Sequence, residues 1–267
     1  MNIGKYVQMY SEDLRLKNYS ENTIKNYSSQ VELFLKYFNK VATKPSEISE
    51  KQIKSWLMQT KSINGRKHRI SAVKLFYKLT GKQPLKFRYI EYPKSEKKLP
   101  KVIDKNRLIK TIERISNSKH KAIITLAFST GMRVSEVINL KISDIDSERM
   151  IITIRQAKGR KDRIVPLSEK TLDTLRNYFR EYRPKEYLFN GQFSLQYSST
   201  SCNAIVKKYL GREFHFHQLR HSNATALLES GTDIRIIQKL LGHRSSKTTE
   251  IYTHVSTQLI NQVNPPI

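Results

Sequence analysis

Residues 215–254 read HFHQLRHSNATALLESGTDIRIIQKLLGHRSSKTTEIYTH and hold five of the seven histidines of the chain. The spacing of the apolar residues predicts a succession of short helices, with glycines at the breaks between them. Within the first helix, His217, Arg220 and His221 stand at positions i, i+3 and i+4, so they share one face. This cluster of imidazole and guanidinium groups is the candidate functional site of the chain.

Four further residues extend this candidate site. His243 ends the second helix in LLGH, and Tyr252 follows nine residues later in TTEIYTH. Upstream, Arg133 stands at a predicted helix start and Lys158 at the tip of a predicted hairpin. Arginine presents planar pairs of N–H groups that fit phosphate oxygens, and nearby cations lower the cost of forming a tyrosine phenolate. The set therefore favours nucleophilic chemistry at a phosphate, with Tyr252 as the nucleophile.

A metal centre is the alternative for this histidine cluster. His217 and His221 have the HxxxH spacing of a metal-binding pair, and His215 or His243 could supply a third ligand. However, Gln218 stands where a metalloprotease HExxH motif carries its glutamate. We therefore predict a phosphate site without a metal or other cofactor.

The pattern around the site is mainly helical with one small β-hairpin. MIITIR at 150–155 alternates and is rich in β-branched residues, and RIVPL at 163–167 is a second short strand. The stretch QAKGRKD between them predicts a glycine-containing turn. Helices are predicted at 123–128, 172–182, 199–210, 217–229, 233–241 and 246–255. The predicted fold class is mainly α with a small β-sheet, in two domains.

Residues 1–88 are predicted to form a helical domain of their own. Ser20 is a suitable N-cap for a helix whose apolar stripe runs to Phe38, and further helices are predicted at 52–58 and 66–78. One face of the last helix is basic; its residues are Arg66, Lys67, Arg69 and Lys74. Such a face is ordinarily only solvated, but in a domain this basic we predict that it contacts DNA.

The two predicted domains are separated by residues 89–101, YIEYPKSEKKLPK. Two prolines, few apolar groups and many lysines are typical of an extended linker. The periodic apolar pattern resumes at Val102, so we predict a second, catalytic domain with a C-terminal tail over 102–267. A chain of 267 residues is long enough for two ordinary cores.

The charge of the chain indicates a polyanionic partner. Lys and Arg total 49 against 23 Asp and Glu, which gives a formal net charge of +26. The excess is shared equally, at +13 in residues 1–100 and +13 in 101–267. Lysines and arginines placed on phosphates release condensed counterions, so both regions are candidates for contact with nucleic acid. A ribosome-bound or membrane-surface protein is the alternative.

The rest of the composition predicts a cytoplasmic protein. No apolar run approaches the roughly 20 residues that cross a bilayer, and the N-terminal residues lack the apolar stretch of a secretion signal. Cys202 is the only cysteine, so no internal disulfide or CxxC zinc site is possible, and we interpret it as structural.

Five motifs in order resemble those of the tyrosine recombinase (phage integrase) family, and of its simple Xer-like members most closely. They are TGMRVSE around Arg133, KGRKDRIVPL around Lys158, HQLRH at 217–221, LGHRSSKTT at 241–249 and IYTH around Tyr252. The resemblance covers nearly all of 102–255, and YSENTIKNY at 19–27 is similar to the opening helix of the family's SAM-like core-binding domain. One departure is Phe216, where many members carry proline.

The resemblance implies a role for each motif residue. Tyr252 would attack the scissile phosphate and form a 3′-phosphotyrosyl bond, while Arg133 and Arg220 would hold the non-bridging oxygens. His217 would bind the phosphate and accept the tyrosine proton, and His243 would donate a further hydrogen bond. Lys158 would protonate the departing 5′ oxygen. In the first domain, the resemblance adds three DNA-binding candidates, Asn22, Thr23 and Lys25.

The implied activity is site-specific recombination through a Holliday junction, in DNA integration, excision or dimer resolution. The implied partner is double-stranded DNA with short inverted-repeat core sites, gripped by both domains as by a clamp. Four protomers would assemble on two sites, with the tail after Val255 packing on a neighbouring protomer. A type IB topoisomerase-like enzyme and a non-catalytic DNA-binding regulator are the alternatives; HQLRH and LGH argue against the first and Tyr252 with its donors against the second.

Overall fold

The computed structural model describes residues 1–94, 99–157, 161–243 and 245–253. The chain divides into two compact units, 1–97 and 98–267, each with its own hydrophobic core. Within the described ranges, no helix combines the length and the apolar character that crossing a membrane requires.

The first unit is entirely helical in its described part. Its four α-helices are α1 (Ile3–Leu16), α2 (Glu21–Phe38), α3 (Glu50–Met58) and α4 (Ile63–Leu79), with 3₁₀ turns at Pro45–Glu47 and Pro84–Phe87. Serine begins three of these helices: Ser20, Ser49 and Ser62 each accept a hydrogen bond from a first-turn backbone N–H. The core is aromatic, with Phe34 edge-to-face against both Trp56 and Tyr77.

The segment after Phe87 stays in contact with the first unit instead of leaving it at once. Ile90 is buried in the first core, and the hydroxyls of Tyr92 and Ser71 lie 3.3 Å apart. Part of the stretch that the sequence predicts to be an extended linker is therefore packed against α4.

The second unit is mainly helical. Its described residues form α5 (Lys105–Glu113), α6 (Ser118–Thr130), α7 (Val134–Ile138), α8 (Glu169–Tyr182), α9 (Ser199–Leu210), α10 (Phe216–Glu229), α11 (Ile234–Leu241) and α12 (Lys247–Glu250). Helix α6 is buried along most of its length and packs against α8 and α10. Helix α6 therefore lies at the centre of this unit and positions α7 and α10, which carry residues of the site.

One antiparallel sheet of three strands accompanies these helices. Its order is β1-β2-β3, with β1 at Ile145–Asp146, β2 at Ile151–Ala157 and β3 at Lys161–Pro166. In the hairpin, Ile152 pairs with Val165, and both side chains enter the core. The mainly helical class with a small sheet is thus confirmed; the sequence reading missed β1, which is only two residues long.

Several predicted helix ends are displaced in the structure. Helix α4 begins at Ile63 rather than 66, and α8 begins at Glu169 rather than 172, because Ser62 and Ser168 act as N-caps. The predicted helix over 246–255 was wrong in length: α12 ends at Glu250. The backbone N–H groups of Tyr252 and Thr253 donate to carbonyls three residues back, so residues 251–253 form tight turns.

Candidate active site

Four segments of the second unit bring the site together: the α6–α7 junction, α10, the end of α11 and the turn after α12. The junction depends on Gly131, which has φ of +63° and ends α6. A Cβ there would lie 2.6 Å from both Asn223 Oδ1 and Leu241 Cδ2, so only glycine fits. Arg133 follows as the N-cap of α7.

Arg133 is held by the buried carboxylate of Glu136. Glu136 accepts hydrogen bonds from the backbone N and Nη1 of Arg133, both at 2.7 Å. The same carboxylate accepts two bonds from Arg163 of β3, at 2.8 and 2.7 Å. Burial alone would raise the pKa of Glu136, but Arg163 and Arg133 lower it to about 2. Glu136 is therefore ionised and fixes both arginines.

Three arginines converge on the C-terminal end of α11. Arg163 Nε donates to the carbonyl of Leu240 at 2.8 Å, Arg220 Nη2 to that of Leu241 at 2.6 Å, and Arg133 Nη2 to that of Gly242 at 3.4 Å. These carbonyls lie at the negative end of the helix dipole and lack partners within the helix. The arginines thus set the position of the turn that carries His243.

Arg220 is the most deeply buried charge of this group, with 1% of its surface exposed. Its Nη1 and Nη2 donate to the carbonyls of Gly131 and Leu241, and its Nε is buried without a partner among the described residues. Burial and the charge of Arg133 lower its pKa to about 10, so it stays protonated. An unused N–H in a buried guanidinium is a donor available to an anion.

Tyr252 lies within this cluster and is only 2% exposed. Its ring packs with Ala224, Ile237 and Leu241 in a small apolar cluster. Burial raises the pKa of the phenol, while the charges of Arg220 and Arg133 act in the opposite direction. The net shift of the phenol pKa is upward, so Tyr252 is protonated in this structure, and the two arginines offset part of the cost of forming the phenolate that a nucleophilic tyrosine needs.

Two histidine rings lie beside Tyr252, and a third, His217, contacts one of them. The His221 and Tyr252 ring centroids lie 5.7 Å apart, and the His243 ring stacks at 6.5 Å with its Nδ1 2.9 Å from Thr249 Oγ1. His217 meets His221 edge-to-face at 4.7 Å. Burial and neighbouring positive charge lower the pKa of all three, to about 4 for His221 and about 3 for His243. All three rings are neutral near pH 7.

The structure thus brings together the predicted residues Arg133, His217, Arg220, His243 and Tyr252. Lys158 lies outside the described residues. Sequence reasoning missed Arg163 and the contact of His221 with Tyr252. Arg163 could have been noticed as the basic residue at the start of the predicted strand RIVPL. The sequence placed His221 on the same helix face as His217 and Arg220, but it gave no signal for the contact with Tyr252. Within the described ranges, no group of three His, Cys, Asp or Glu side chains could hold a metal ion.

The DNA-binding candidates of the first unit lie on two neighbouring helices. The rings of Tyr27 on α2 and His68 on α4 are 5.4 Å apart, which places the start of α2 beside α4. Asn22 and Lys25 are exposed and Thr23 half-buried, with its hydroxyl 2.9 Å from that of the N-cap Ser20.

The basic residues of α4 are partly engaged within the first unit. Arg66 donates to the Thr60 carbonyl at 3.1 Å, and the Arg69 guanidinium lies 4.5 Å from the centroid of the Trp56 ring. Lys67 is half-buried and Lys74 is exposed. The exposed and half-buried cations nevertheless give this helix a basic surface.

Comparison with known proteins agrees with this fold. Residues 102–258 match the phage integrase family, and residues 7–86 match the N-terminal SAM-like domain of phage integrases. Tyrosine recombinase XerA of Pyrococcus horikoshii is 33% identical over 96% of this chain and 91% of its own, and XerA of Pyrococcus furiosus is 34% identical over 97% and 92%. This structure also resembles the crystal structure of XerH site-specific recombinase bound to a palindromic difH substrate, a post-cleavage complex, with a TM-score of 0.72. The two sequences are 25% identical, and the superposition covers 96% of this chain and 83% of the XerH chain.

The chain belongs to the phage integrase family of tyrosine recombinases. It is a tyrosine site-specific recombinase similar to the Xer proteins, and the predicted enzyme class is confirmed. The predicted fold class, a SAM-like helical domain followed by a catalytic domain, is confirmed as well.

Proposed function

We propose that the chain cuts and rejoins double-stranded DNA through a covalent bond between Tyr252 and a 3′ phosphate. The observation that carries this proposal is the burial of the Tyr252 ring beside His221 and His243, with Arg133 and Arg220 close enough to offset part of the cost of forming its phenolate. A buried tyrosine next to fixed phosphate-binding groups is arranged for nucleophilic attack on phosphorus.

The phosphate would be held by the two arginines, with Arg220 offering its free Nε. His217 and His243 would donate further hydrogen bonds to the phosphate oxygens as negative charge grows on them. Lys158 would protonate the departing 5′ oxygen; this role rests on the KGRKDRIVPL motif, since the residue lies outside the described ranges. The ester conserves the bond energy, so rejoining needs no external energy source.

The partner we propose is duplex DNA carrying short inverted-repeat core sites. The related XerH protein is described with a palindromic difH substrate, and this chain has a formal charge of +26. We assign residues 1–88 to core binding, through Asn22, Thr23, Lys25 and the basic face of α4, and residues 102–267 to catalysis. Four protomers would pair two sites and exchange strands through a Holliday junction, each tail packing on a neighbour; the tail lies outside the described residues.

The test uses a DNA duplex nicked close to the cleavage position, so that the short 5′-hydroxyl strand diffuses away and rejoining fails. The duplex carries the recombination site of the genetic element that encodes the chain. Wild-type protein should form a covalent complex that survives denaturing electrophoresis, and Tyr252→Phe should not form it. Equal complex in the Phe variant would contradict the assignment, and tight binding without any complex would indicate a non-catalytic binder.

Removing the residues after 255 tests the assembly separately. The truncated protein should bind a single half-site with unchanged affinity but lose cooperative binding to the paired half-sites. An unchanged binding titration on the full site would contradict packing of the tail on a neighbouring protomer.

A further inference from the structure

The residue that contacts the Tyr252 hydroxyl in this structure is His221, to which the motif set gives no role. His221 follows Arg220 on α10, and its Nδ1 lies 3.0 Å from the phenolic oxygen of Tyr252. This is hydrogen-bond distance, and a phenol that is almost completely buried needs a partner for its O–H group. The imidazole of His221 provides that partner.

The other two histidines are less suited to receive the phenolic proton. The Nδ1 of His243 is occupied by the hydroxyl of Thr249, and the centroid of its ring lies 6.5 Å from that of Tyr252, farther than the 5.7 Å of His221. His217 contacts the ring of His221 rather than the tyrosine oxygen. Within the described ranges, the hydrogen bond recorded at the phenolic oxygen is the one with His221.

At rest His221 is neutral, so it has a free site for a proton, but its surroundings make it a weak base. Burial, together with His217 and Arg220 on its own helix, lowers its pKa to about 4, so the ring is neutral near pH 7. From other elements it faces Tyr252 and His243, with Arg133 close enough to act on both. A DNA phosphate bound by Arg133 and Arg220 would bring negative charge beside the ring and raise its basicity at the moment of attack.

We propose that His221 is the catalytic base that accepts the phenolic proton of Tyr252 during strand cleavage. This inference rests on the proposed function and replaces His217 as the proton acceptor. The bond from Tyr252 Oη to phosphorus forms, the bond from phosphorus to the 5′ oxygen breaks, and the phenolic proton moves to Nδ1 of His221. The 5′ oxygen takes a separate proton, which we assign to Lys158. In rejoining, the 5′-hydroxyl attacks phosphorus, its proton goes to Lys158, and the His221 imidazolium returns its proton to Tyr252.

The decisive variant is His221→Asn, because the Asn Oδ1 falls near the position of Nδ1 and can accept the tyrosine hydrogen bond without taking the proton. Single-turnover cleavage of the nicked duplex is measured with saturating protein between pH 6 and 9. Loss of a general base costs about 10²- to 10⁴-fold in rate, so we expect at least a 100-fold loss near pH 7. We also expect the rate to rise with pH as hydroxide replaces the missing base, while DNA affinity stays unchanged.

The chain offers a matched control in the same unit. His120 is also half-buried, and its Nδ1 lies 3.1 Å from the hydroxyl of Tyr209, away from the arginine cluster. His120→Asn should cleave within about twofold of wild type. A duplex with sulfur in place of the 5′ oxygen sharpens the result, because this better leaving group needs no acid. It should restore activity to variants that lack the acid but not to His221→Asn.

The possible results of these cleavage experiments separate the role of His221 from the proposed function. If wild-type protein forms the Tyr252-dependent complex but His221→Asn cleaves within threefold at every pH, the inference is overturned and the proposed function stands. The inference is also overturned if the loss of cleavage rate in His221→Asn parallels a loss of DNA affinity, or if the sulfur substrate restores the cleavage rate. If wild-type protein forms no complex, the proposed function and this inference fall together.

A second measurement is independent of activity. Tyr252→Phe should shift the Nδ1 resonance of His221 in ¹⁵N NMR spectra but not that of His120. An unshifted His221 resonance would contradict the contact on which the inference depends.

Discussion

The two units of this chain bury polar groups in different ways. In the first unit, the buried tyrosines Tyr10 and Tyr77 donate to the backbone carbonyls of Ala72 and Pro45, at 2.9 and 2.7 Å, and the other core side chains are apolar or neutral. In the second unit, a carboxylate and a guanidinium, Glu136 and Arg220, are among the buried side chains. Buried charge costs free energy unless it is paired, so the second unit holds an arrangement that stability alone does not require.

This difference locates the chemistry. Phosphate-binding groups that are already fixed and dehydrated need no reorganisation during the reaction, which is the main way that enzymes stabilise developing charge. The Arg133–Glu136–Arg163 cluster and the arginines at the end of α11 provide such fixation. The first unit, in which the hydroxyls of Tyr10 and Tyr77 are satisfied by backbone carbonyls, has a core that serves stability alone. Substitutions at the site in the second unit should therefore slow cleavage, whereas substitutions in the first unit should change stability or DNA binding.

The largest effect is expected for Arg220→Lys, which keeps the charge but loses the planar fork. Removing one such donor costs about 10²- to 10³-fold in rate, so single-turnover cleavage should fall by at least that factor. Arg107→Lys is the matched control, because Arg107 also donates to the last carbonyl of a helix, that of Leu210 in α9, at 3.0 Å. Equal losses in the two variants would show that capping a helix end, rather than binding phosphate, is what matters.

A smaller loss, of about 10-fold in cleavage, is expected for Glu136→Gln, which loosens Arg133 while keeping its shape. This variant also tests the buried charge by its effect on stability. The pKa of Glu136 is lowered to about 2 from the ordinary 4.5, so its ionisation stabilises the fold above pH 4.5. That contribution is lost as the pH falls from about 4.5 to 2.

Chemical denaturation between pH 2 and 7 measures this stabilisation. The wild-type free energy of unfolding should fall more steeply below pH 4.5 than that of Glu136→Gln, and the two curves should converge near pH 2. Parallel curves would mean that the carboxylate is not held ionised by Arg133 and Arg163.

In the first unit, Tyr77→Phe should lower the free energy of unfolding by about 1 kcal/mol, the usual value of one hydrogen bond. Cleavage of bound DNA should be unchanged, because the hydroxyl of Tyr77 serves only the Pro45 carbonyl. Tyr89→Phe, at a largely exposed ring, is the control and should alter neither quantity. A cleavage defect in Tyr77→Phe at saturating protein would contradict the assignment of cleavage to the second unit alone.

The smallest effect is expected for Lys25→Ala on the exposed start of α2. One lost phosphate contact should weaken DNA binding a few-fold and reduce the slope of log affinity against log salt concentration by about 1. Lys40→Ala, beyond the other end of α2, should leave the slope unchanged. Identical slopes for the wild type and Lys25→Ala would show that Lys25 does not contact a DNA phosphate.

Sequence reasoning located most of the candidate site because its residues lie in short motifs with helical spacing. His217 and Arg220 share a face of α10, and Arg133 follows the glycine that ends α6. Those relations are local, and local spacing is what a sequence records directly. The mainly helical class followed from the same periodicity.

What the sequence left open depends on contacts between distant segments. Glu136 and Arg163 are 27 positions apart and meet because β2 packs against α7 while β3, paired with β2, packs against α11. The contact of His221 with Tyr252 depends on α12 ending at Glu250, where three-residue turns replace the predicted helix. Neither the tertiary pairing nor the early helix end has a periodic signal in the chain.

The most direct test of the central claim identifies the tyrosine that becomes bonded to DNA. The covalent complex from the nicked duplex is digested with a protease and a nuclease, and the peptide that retains a nucleotide is sequenced by mass spectrometry. The chain has 14 tyrosines, and the account predicts that the modified peptide contains Tyr252 and carries the nucleotide on that residue. A nucleotide on any other tyrosine would contradict the claim that the buried arginine and histidine cluster of the second unit is the catalytic site.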